Sequence, residues 1–350
     1  MSQHFIDDIK IENFKCFENL EIIGFKRVNL FGGKNNVGKT ALLESLQFLA
    51  LGKTPNLLVL LIFTMLKQRQ HATNDALLKM LEMDIFRGFS NKFSIRSSIR
   101  KIVVIRGFNY TPTNKDVYSQ NFGEGISFIV DDEAVQLPIN IFHVDGTGQL
   151  PFYPSDRDII PRNVFLASRS TLDEKGIASL YGAVVELEKE GFLDQSLAKF
   201  DGNIISFKVV PTERGVRAKL KLNGRDSLAL LSEMGDGINR YIAILCAIWA
   251  SQNGFLFVDE IENGIHYSNY KKLWELVFMA SEQANCQVFV TSHSKECIEA
   301  FNQVQLDRSD NTGMYFELYH SERKKRIVAA GRDAEQLHYS LTHGAAIRGE

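Results

Sequence analysis

Cysteine is scarce in this 350-residue chain, and the few cysteines are far apart. No two of them form the C-x-x-C pair that many structural zinc sites use, so the sequence argues against such a site. It argues equally against a disulfide framework, and scattered thiols are typical of the reducing cytoplasm. The four positions are Cys16, Cys246, Cys286 and Cys297.

Long apolar runs are also missing. The longest run spans residues 57–66 and is interrupted only by Thr64, whereas a helix that crosses a bilayer needs about 20 residues. The first eight residues lack the basic start and the apolar core of a signal peptide. We therefore expect a cytoplasmic protein without membrane contacts. For residues 57–66 a buried helix is favoured over a partner-binding surface.

The chain also lacks a strong net charge. The formal charge is −2, so the chain as a whole exerts no general attraction on nucleic acid or on a membrane surface. Any such attraction would have to come from a local patch. The hydrophobic content of 45% and the charged content of 23% are those of a globular protein. The length suits one large domain or two ordinary ones.

One short stretch stands out against this background. Residues 33–40 fit the pattern G-x-x-x-x-G-K-[ST] at every fixed position. The glycines let backbone N–H groups turn inward around a phosphate chain. In such a loop the lysine reaches the β- and γ-phosphates, and the final hydroxyl is offered to Mg²⁺. The predicted phosphate-binding residues are Gly33, Lys34, Asn35, Asn36, Val37, Gly38, Lys39 and Thr40.

The flanks of this loop support a nucleotide site over a chance match in a glycine turn. The apolar run 28–31 before it predicts a buried strand, and residues 40–50 after it have leucines at helical spacing. A strand, a glycine loop and a helix in this order place the helix N-terminus against the phosphates, where the helix dipole favours an anion.

A second pattern supplies carboxylates. Residues 255–258 are apolar and predict a fully buried parallel strand, which Asp259 and Glu260 follow directly. Asp259 is expected to hold Mg²⁺ beside Thr40, and Glu260 to polarise the attacking water. The alternative, a solvated turn, is disfavoured because the strand and the phosphate loop occur together.

A third pattern is another apolar strand that ends in polar residues, 287–292, and is followed by His293. Its distance from Asp259 suits the next strand–helix unit of the same sheet. His293 is therefore predicted to contact the γ-phosphate or the attacking water, although a lone histidine after a strand is more often structural.

The fourth pattern lies before the predicted strand 255–258. Ser232, Gly235 and Gly237 form a small-residue turn that opens an apolar helix over residues 238–250. A serine and glycines at a helix N-terminus can bind phosphate through backbone donors and a hydroxyl. An ordinary N-cap turn is the alternative, which the position between the other motifs disfavours.

In this order the four motifs resemble the ABC-type ATPase head shared by RecF, the SMC and Rad50 proteins and the OLD-family ATPases. The run Ile9–Phe17 is similar to the I-x-N-F-[KR]-x-F strand with which this class often begins. The resemblance implies an α/β fold: a P-loop NTPase of ABC type, a mixed central sheet with helices on both faces, and a smaller inserted helical/β lobe. We assign residues 1–51 and 160–350 to the head and 52–159 to the lobe.

In that class two heads sandwich two ATP molecules, so the resemblance implies that Ser232, Gly235 and Gly237 contact the γ-phosphate bound by the other head. It also implies that Lys15 is a nucleotide contact. Residues 260–266 are similar to the E-x-E-[NA]-x-[IL]-H pattern of OLD-like proteins, which implies that Asn263 and His266 lie near the interface between heads. The Ser-Glu-Met-Gly-Asp-Gly signature differs from the Leu-Ser-Gly-Gly-Gln of transporters and resembles the OLD-like form.

No glutamine has a convincing Q-loop position, and Gln149 is the one candidate. No heptad run separates the loop from the signature, so a compact head is predicted rather than a head on a long coiled coil. Hairpins are predicted at 204–222, with a turn from Pro211 to Gly215, and at 314–330. A helix is predicted at 74–83.

The region 87–106 contains basic residues and no acidic ones, with aromatic residues interleaved within and just beyond it. Such a patch can bind nucleic acid. The favoured alternative is a pair of strands with a solvated basic face, because aromatic residues that alternate along strands usually face the core. The basic residues are Arg87, Lys92, Arg96, Arg100, Lys101 and Arg106, and the aromatic ones are Phe89, Phe93, Phe108 and Tyr110.

These observations predict an ATPase that uses ATP and Mg²⁺, with Lys39, Glu260 and His293 as its catalytic residues. The stretch after His293 is too short for the Toprim nuclease domain of full-length OLD proteins. We therefore expect a homodimer or higher homo-oligomer that acts as a switch, sensor or scaffold for a separate nuclease or toxin, by analogy with bacterial phage defence. The alternatives are a RecF-like DNA-binding repair ATPase and a regulatory module that binds ATP without hydrolysing it.

Overall fold

The computed structural model describes residues 5–53, 55, 57–59, 61–62, 85–88, 90–110, 123–138, 163–167, 172–213 and 215–343. The strands in these ranges are β1 (Asp8–Phe14), β2 (Phe17–Ile23), β3 (Val28–Gly32), β4 (Lys92–Arg96), β5 (Lys101–Tyr110), β6 (Gly123–Val130), β7 (Glu133–Pro138), β8 (Asn163–Leu166), β9 (Ile204–Thr212), β10 (Gly215–Leu222), β11 (Ala229–Leu230), β12 (Phe255–Val258), β13 (Gln287–Thr291), β14 (Gly313–Ser321) and β15 (Arg326–Arg332). The α-helices there are α1 (Lys39–Leu51), α2 (Glu174–Glu186), α3 (Glu190–Phe200), α4 (Asp236–Ala250), α5 (Tyr270–Gln283), α6 (Lys295–Arg308) and α7 (Ala334–Thr342).

The central sheet has the strand order β15-β14-β3-β13-β12-β8. All neighbours are parallel except β14 and β15, which form an antiparallel hairpin at one edge. The three central strands β3, β13 and β12 are buried along their whole length, as parallel strands covered on both faces should be. Because these strands are parallel, the residues that follow them lie at one edge of the sheet, as the three sequence patterns require.

The two faces of the central sheet belong to two different hydrophobic cores. Side chains alternate along a strand, so phenylalanines face one side and aliphatic residues the other. Phe31, Phe257 and Phe289 pack with α1, whereas Leu30, Leu256 and Val290 pack with α4, α5 and α6. Helices therefore cover both faces of a mixed sheet, which confirms the predicted fold class. Helix α1 is enclosed on all sides, with every residue from Ala41 to Ala50 buried.

A second, antiparallel sheet has the order β2-β1-β4-β5-β6-β7. Strand β4 pairs directly with β1, and Phe93 of β4 lies in the same core as Phe14 of β1 and Phe48 of α1. The strands assigned to an inserted lobe thus continue a sheet that the N-terminal strands begin. Within the described residues the insertion is joined to the head by hydrogen bonds and by a shared core.

The two predicted hairpins are confirmed as β9–β10 and β14–β15. The turn of the first is shorter than predicted, because Pro211 pairs with Val216 inside the hairpin and the turn follows Thr212. Proline is compatible with that position because β9 is the outer strand of a three-stranded sheet and needs no further donor on its open side.

Two predicted helices fall partly or wholly outside the described residues. The described residues of the apolar run 57–66 are helical and buried, as expected. The helix at 74–83 lies outside the described residues, as does the Q-loop candidate Gln149. Among the residues described, none of the helices has the length and apolar character that crossing a membrane requires.

Candidate nucleotide site

The phosphate loop follows β3 and leads directly into α1. Gly33 and Gly38 both have a positive φ, 129° and 86°, and Asn36 has a φ of 62°. A Cβ on Gly33 would collide with the backbone carbonyl of Leu318, and one on Gly38 would collide with side chains of the β1–β2 turn. Glycine is therefore required at both positions by conformation and by space. Gly38 is the N-cap of α1 and supplies no side-chain cap, which leaves the first N–H groups for an anion.

Lys39 folds back over this loop. Its Nζ donates hydrogen bonds to the carbonyl oxygens of Gly33 at 2.7 Å and of Lys34 at 3.0 Å. Burial lowers the pKa of the Lys39 ammonium, and the nearby carboxylates of Asp259 and Glu260 oppose this shift. The ammonium is thus held close to the loop by acceptors that phosphate oxygens can replace.

Thr40 and Asp259 meet across the edge of the sheet. The Thr40 hydroxyl donates to Asp259 Oδ2 at 3.0 Å, and the Thr291 hydroxyl donates to Asp259 Oδ1 at 2.6 Å. A hydroxyl and a buried carboxylate are hard oxygen donors of the kind Mg²⁺ accepts together with substrate phosphates. Thr291 was not anticipated, although a polar residue at the end of an otherwise buried strand was visible in the sequence.

Glu260 lies beside His293. Glu260 has a φ of 49°, which is unfavourable for a residue with a Cβ, and its N–H is held by the Thr291 hydroxyl at 2.8 Å. His293 Nδ1 lies 3.7 Å from Glu260 Oε1 and 3.3 Å from Glu262 Oε1. Asn263 donates to Glu260 Oε2 at 3.3 Å. The structure brings the predicted catalytic residues together and adds Glu262, for which the sequence predicted no role.

The signature turn lies on the surface near this edge. Ser232 is in a short 3₁₀ turn and is exposed, and Gly235, with a φ of 81°, is the N-cap of α4. A Cβ on Gly237 would lie 2.8 Å from the carbonyl oxygen of Gly264. Helix α4 therefore packs against the loop that follows β12.

Arg240 of the same helix was also missed by sequence reasoning. Its guanidinium is buried and donates to the carbonyl oxygens of Ala167 at 3.0 Å and Asp259 at 2.9 Å. Arg240 thereby ties α4 to the backbone that carries the predicted metal ligand. In the sequence it had no distinguishing mark, since an arginine in a helix is ordinarily a surface residue.

The close approach of Gly237 to Gly264 gives a testable result. Gly237→Ala should push the loop after β12 away from α4, lower the free energy of unfolding by about 1–3 kcal/mol and reduce ATP turnover. The matched control is Gly182→Ala in α2, where a Cβ meets nothing within 4 Å and alanine should be neutral or stabilising. Denaturant unfolding and phosphate release measure both effects, and equal behaviour of the two variants would contradict the packing argument.

Two residues implied by the resemblance have partners of their own. Lys15 forms a buried ion pair with Glu44 of α1, so its ammonium links the β1–β2 turn to the helix after the phosphate loop. His266 accepts the N–H of Ser268, and its ring lies 4.4 Å from that of the exposed Tyr267. The proposed roles of Lys15 at the nucleotide and of His266 at an interface stay predictions.

The basic patch is partly neutralised within the chain. Arg96 pairs with Glu12 at 2.9 Å, and Arg87 pairs with Glu18 at 3.2 Å. Phe93 is fully buried. These contacts favour the interpretation of a strand pair with a solvated face. Lys92 and Lys101 are exposed, while Phe89 and the side chains of Phe108 and Tyr110 lie outside the described residues.

Fold and site together define a P-loop ATPase head of ABC type. Two protein-family models match the chain, one described as "AAA ATPase domain" over residues 5–126 and one as "AAA domain, putative AbiEii toxin, Type IV TA system" over residues 177–299. An ATP/GTP phosphatase of Helicobacter pylori is 27% identical over 336 residues, covering 85% of this chain and 88% of that protein. The DNA replication and repair protein RecF of Clostridium acetobutylicum is 25% identical over 215 residues, covering 59% and 53%.

Among solved structures, an SMC head bound to the C-terminal winged-helix domain of ScpA matches with a TM-score of 0.50. It is 15% identical and the match covers 95% of this chain and 99% of that one, a likeness that concerns the fold. The family models, the two relatives and the fold together support an ABC-type ATPase head similar to those of the RecF and SMC proteins.

Proposed function

We propose that the protein hydrolyses ATP with Mg²⁺ and that bound ATP brings two heads together. The observation that carries the proposal is the meeting of three strand ends at one edge of the sheet. There the Thr40 hydroxyl lies 3.0 Å from Asp259 Oδ2, and Glu260 and His293 follow the neighbouring strands β12 and β13. This is the arrangement that phosphoryl transfer needs, because it depends on positioning and charge stabilisation.

Each residue has a separate role in this proposal. The loop N–H groups and Lys39 bind the phosphates, and Thr40 and Asp259 hold Mg²⁺. The ion, when bound, neutralises the negative charge that develops on the phosphate oxygens. Glu260 accepts a hydrogen bond from the attacking water and orients it, and His293 contacts the γ-phosphate or that water.

A second head is proposed to complete the site. Ser232 is exposed, and Gly235 leaves the N-terminus of α4 without a side-chain cap. A hydroxyl and free N–H groups at a helix N-terminus suit an anion. In a two-fold assembly they would meet the γ-phosphate bound by the partner copy. ATP would then stabilise the assembled form, and hydrolysis would release it, which makes the assembly a switch.

The direct test of the enzymatic part is phosphate release from ATP and from GTP, with Mg²⁺ and with excess EDTA. We expect turnover that needs Mg²⁺ and disappears with EDTA, because Thr40 and Asp259 hold the ion only together with phosphate oxygens. Tight ATP binding without turnover would overturn the proposal in favour of a regulatory module. Turnover that persists in excess EDTA would contradict the assignment of Thr40 and Asp259 as Mg²⁺ ligands.

We further propose that the switch acts on a separate effector in bacterial phage defence. The description of the family model over residues 177–299, which names a toxin and a Type IV TA system, supports this role. The test is phage infection of cells that carry the gene with its genomic neighbours, comparing the normal protein with a Glu260→Gln variant. Protection that the variant loses supports the role, whereas equal survival with and without the gene would contradict it.

A RecF-like role in DNA binding is the second candidate, supported by the RecF relative and by the exposed Lys92 and Lys101. The ion pairs of Arg87 and Arg96 weaken it. Fluorescence anisotropy with duplex DNA decides between the two candidates. A DNA affinity that falls steeply with salt and is reduced by Lys92→Glu would favour the RecF-like role, and no binding at 50 mM salt would exclude it.

A further inference from the structure

Glu262 occupies a position in the site that the proposed roles leave unused. It lies three residues after Asp259 and is buried, with 6% of its surface exposed. Its Oε1 accepts the backbone N–H of His293 at 2.8 Å and of Ser294 at 3.2 Å. The same oxygen lies 3.3 Å from His293 Nδ1. One carboxylate oxygen therefore accepts the backbone N–H of His293 and also lies close to its ring.

A hydrogen bond between Glu262 and the ring would decide which ring nitrogen is available to the nucleotide. An ionised carboxylate can only accept hydrogen bonds, so Nδ1 of His293 must carry a proton to bond with Glu262. Glu260 Oε1 lies farther from the same nitrogen, at 3.7 Å. With Nδ1 engaged in this way, Nε2 is the ring atom left to serve the γ-phosphate or the water. A partner on one ring nitrogen commonly sets the role of the other.

The environment of Glu262 suggests that its role is more than loop capping. Its Oε2 is buried and has no hydrogen-bond partner among the described residues. A buried carboxylate with an unpaired oxygen costs stability, which an apolar residue at this position would avoid. Its negative charge acts on Lys39 and Arg240, both of which are partly buried cations of the site.

We propose that Glu262 is a positioning residue for ATP hydrolysis, which holds the ring of His293 with Nδ1–H toward its carboxylate and leaves Nε2 for the nucleotide. This inference rests on the proposed function of the same site. It assigns Glu262 no contact with ATP. Its effect on the reaction is assigned to its contact with His293.

A double-mutant cycle tests this path. Glu262→Ala should lower kcat about tenfold, as the loss of an orienting partner does, and change KM for ATP by less than twofold. His293→Ala should have a similar effect, and the double variant should be no slower than His293→Ala, because both changes remove one function. Glu262→Gln keeps an acceptor oxygen and should restore most of the activity.

The control for the loss of a carboxylate is Glu299→Ala on α6, which removes an exposed pair with Lys295 and should leave kcat unchanged. Thermal unfolding of every variant checks that it is folded. Independent, multiplying losses for Glu262→Ala and His293→Ala would overturn the proposal. A Glu262→Ala variant that is folded and fully active would overturn it too.

The ring orientation has a second readout that needs no ATP turnover. In ¹⁵N NMR spectra of histidine-labelled protein, the signals of His293 are found by difference from His293→Ala. We expect a proton on Nδ1 in the normal protein and its loss from Nδ1 in Glu262→Ala. A proton on Nε2 alone in the normal protein would overturn the inference even if ATP is hydrolysed. If no ATP is hydrolysed, the proposed function fails, while the spectrum still decides the orientation of the ring.

Discussion

Replacing Glu260 by glutamine is expected to slow ATP turnover by about 10²–10³-fold and to trap an ATP-bound assembly of twice the monomer mass. Glutamine keeps the size of the side chain and its bond to Asn263, but it loses the basicity with which a carboxylate orients water. Binding of ATP should persist, because the phosphate loop, Lys39 and the Mg²⁺ ligands are unchanged. Size-exclusion chromatography with light scattering, with and without Mg-ATP, measures the assembly.

Two further variants show whether the assembly is the proposed sandwich. Ser232→Arg in the Glu260→Gln background should abolish the ATP-dependent increase in mass, because a long cation would replace the hydroxyl that is proposed to contact the partner's nucleotide. Ser98→Arg adds the same side chain at an exposed turn between β4 and β5 and should have no effect. If ATP binds but the measured mass stays the same with and without ATP, the result would contradict the switch and indicate a constitutive scaffold. Assembly that survives Ser232→Arg would contradict the role in trans.

Replacing Lys39 by methionine is expected to weaken ATP binding by roughly 10–100-fold, the loss of a charged hydrogen-bonding group, and to abolish measurable turnover. Methionine keeps the length of the side chain but cannot replace the two hydrogen bonds that Nζ makes to the loop. It also removes a cation that interacts electrostatically with Asp259 and Glu260. Isothermal titration calorimetry with a non-hydrolysable ATP analogue and Mg²⁺ measures the affinity.

The matched control is Lys53→Met, which removes an exposed lysine just beyond the other end of α1. It should leave affinity and turnover at the level of the normal protein. The thermal unfolding temperature of Lys39→Met without nucleotide should be close to normal, whereas the increase that ATP causes should disappear. An unchanged affinity in Lys39→Met would show that the loop does not bind the triphosphate, and the proposed function would fail with it.

Much of the site could be predicted from the sequence because its parts are local. The loop between β3 and α1 needs glycine where φ is positive, and lysine and threonine follow at fixed spacing. Buried parallel strands are marked by short, continuous apolar runs, so Asp259 and His293 could be placed at strand ends without a structure. The hairpin β14–β15 was predicted on the same local grounds.

Other features depended on contacts between distant parts of the chain, which no local pattern records. The strands of residues 92–138 were separated from the head by sequence position, yet β4 pairs with β1 and shares its core. The E-x-E pattern that contains Glu262 assigned it no role, and Arg240 has ordinary sequence surroundings. Only packing shows that one holds His293 and the other holds the carbonyl of Asp259.

The sequence by itself therefore determined the type of fold, the phosphate loop and the strand-end carboxylates, since each follows from backbone conformation and hydrophobic pattern over a few residues. The tertiary structure alone decided how these parts are held. Thr291 is 32 positions from Asp259 and Glu262 is 31 from His293, and such separations are closed only when the core packs. The residues proposed to bind the nucleotide could be found locally, whereas the residues that contact and hold them could not.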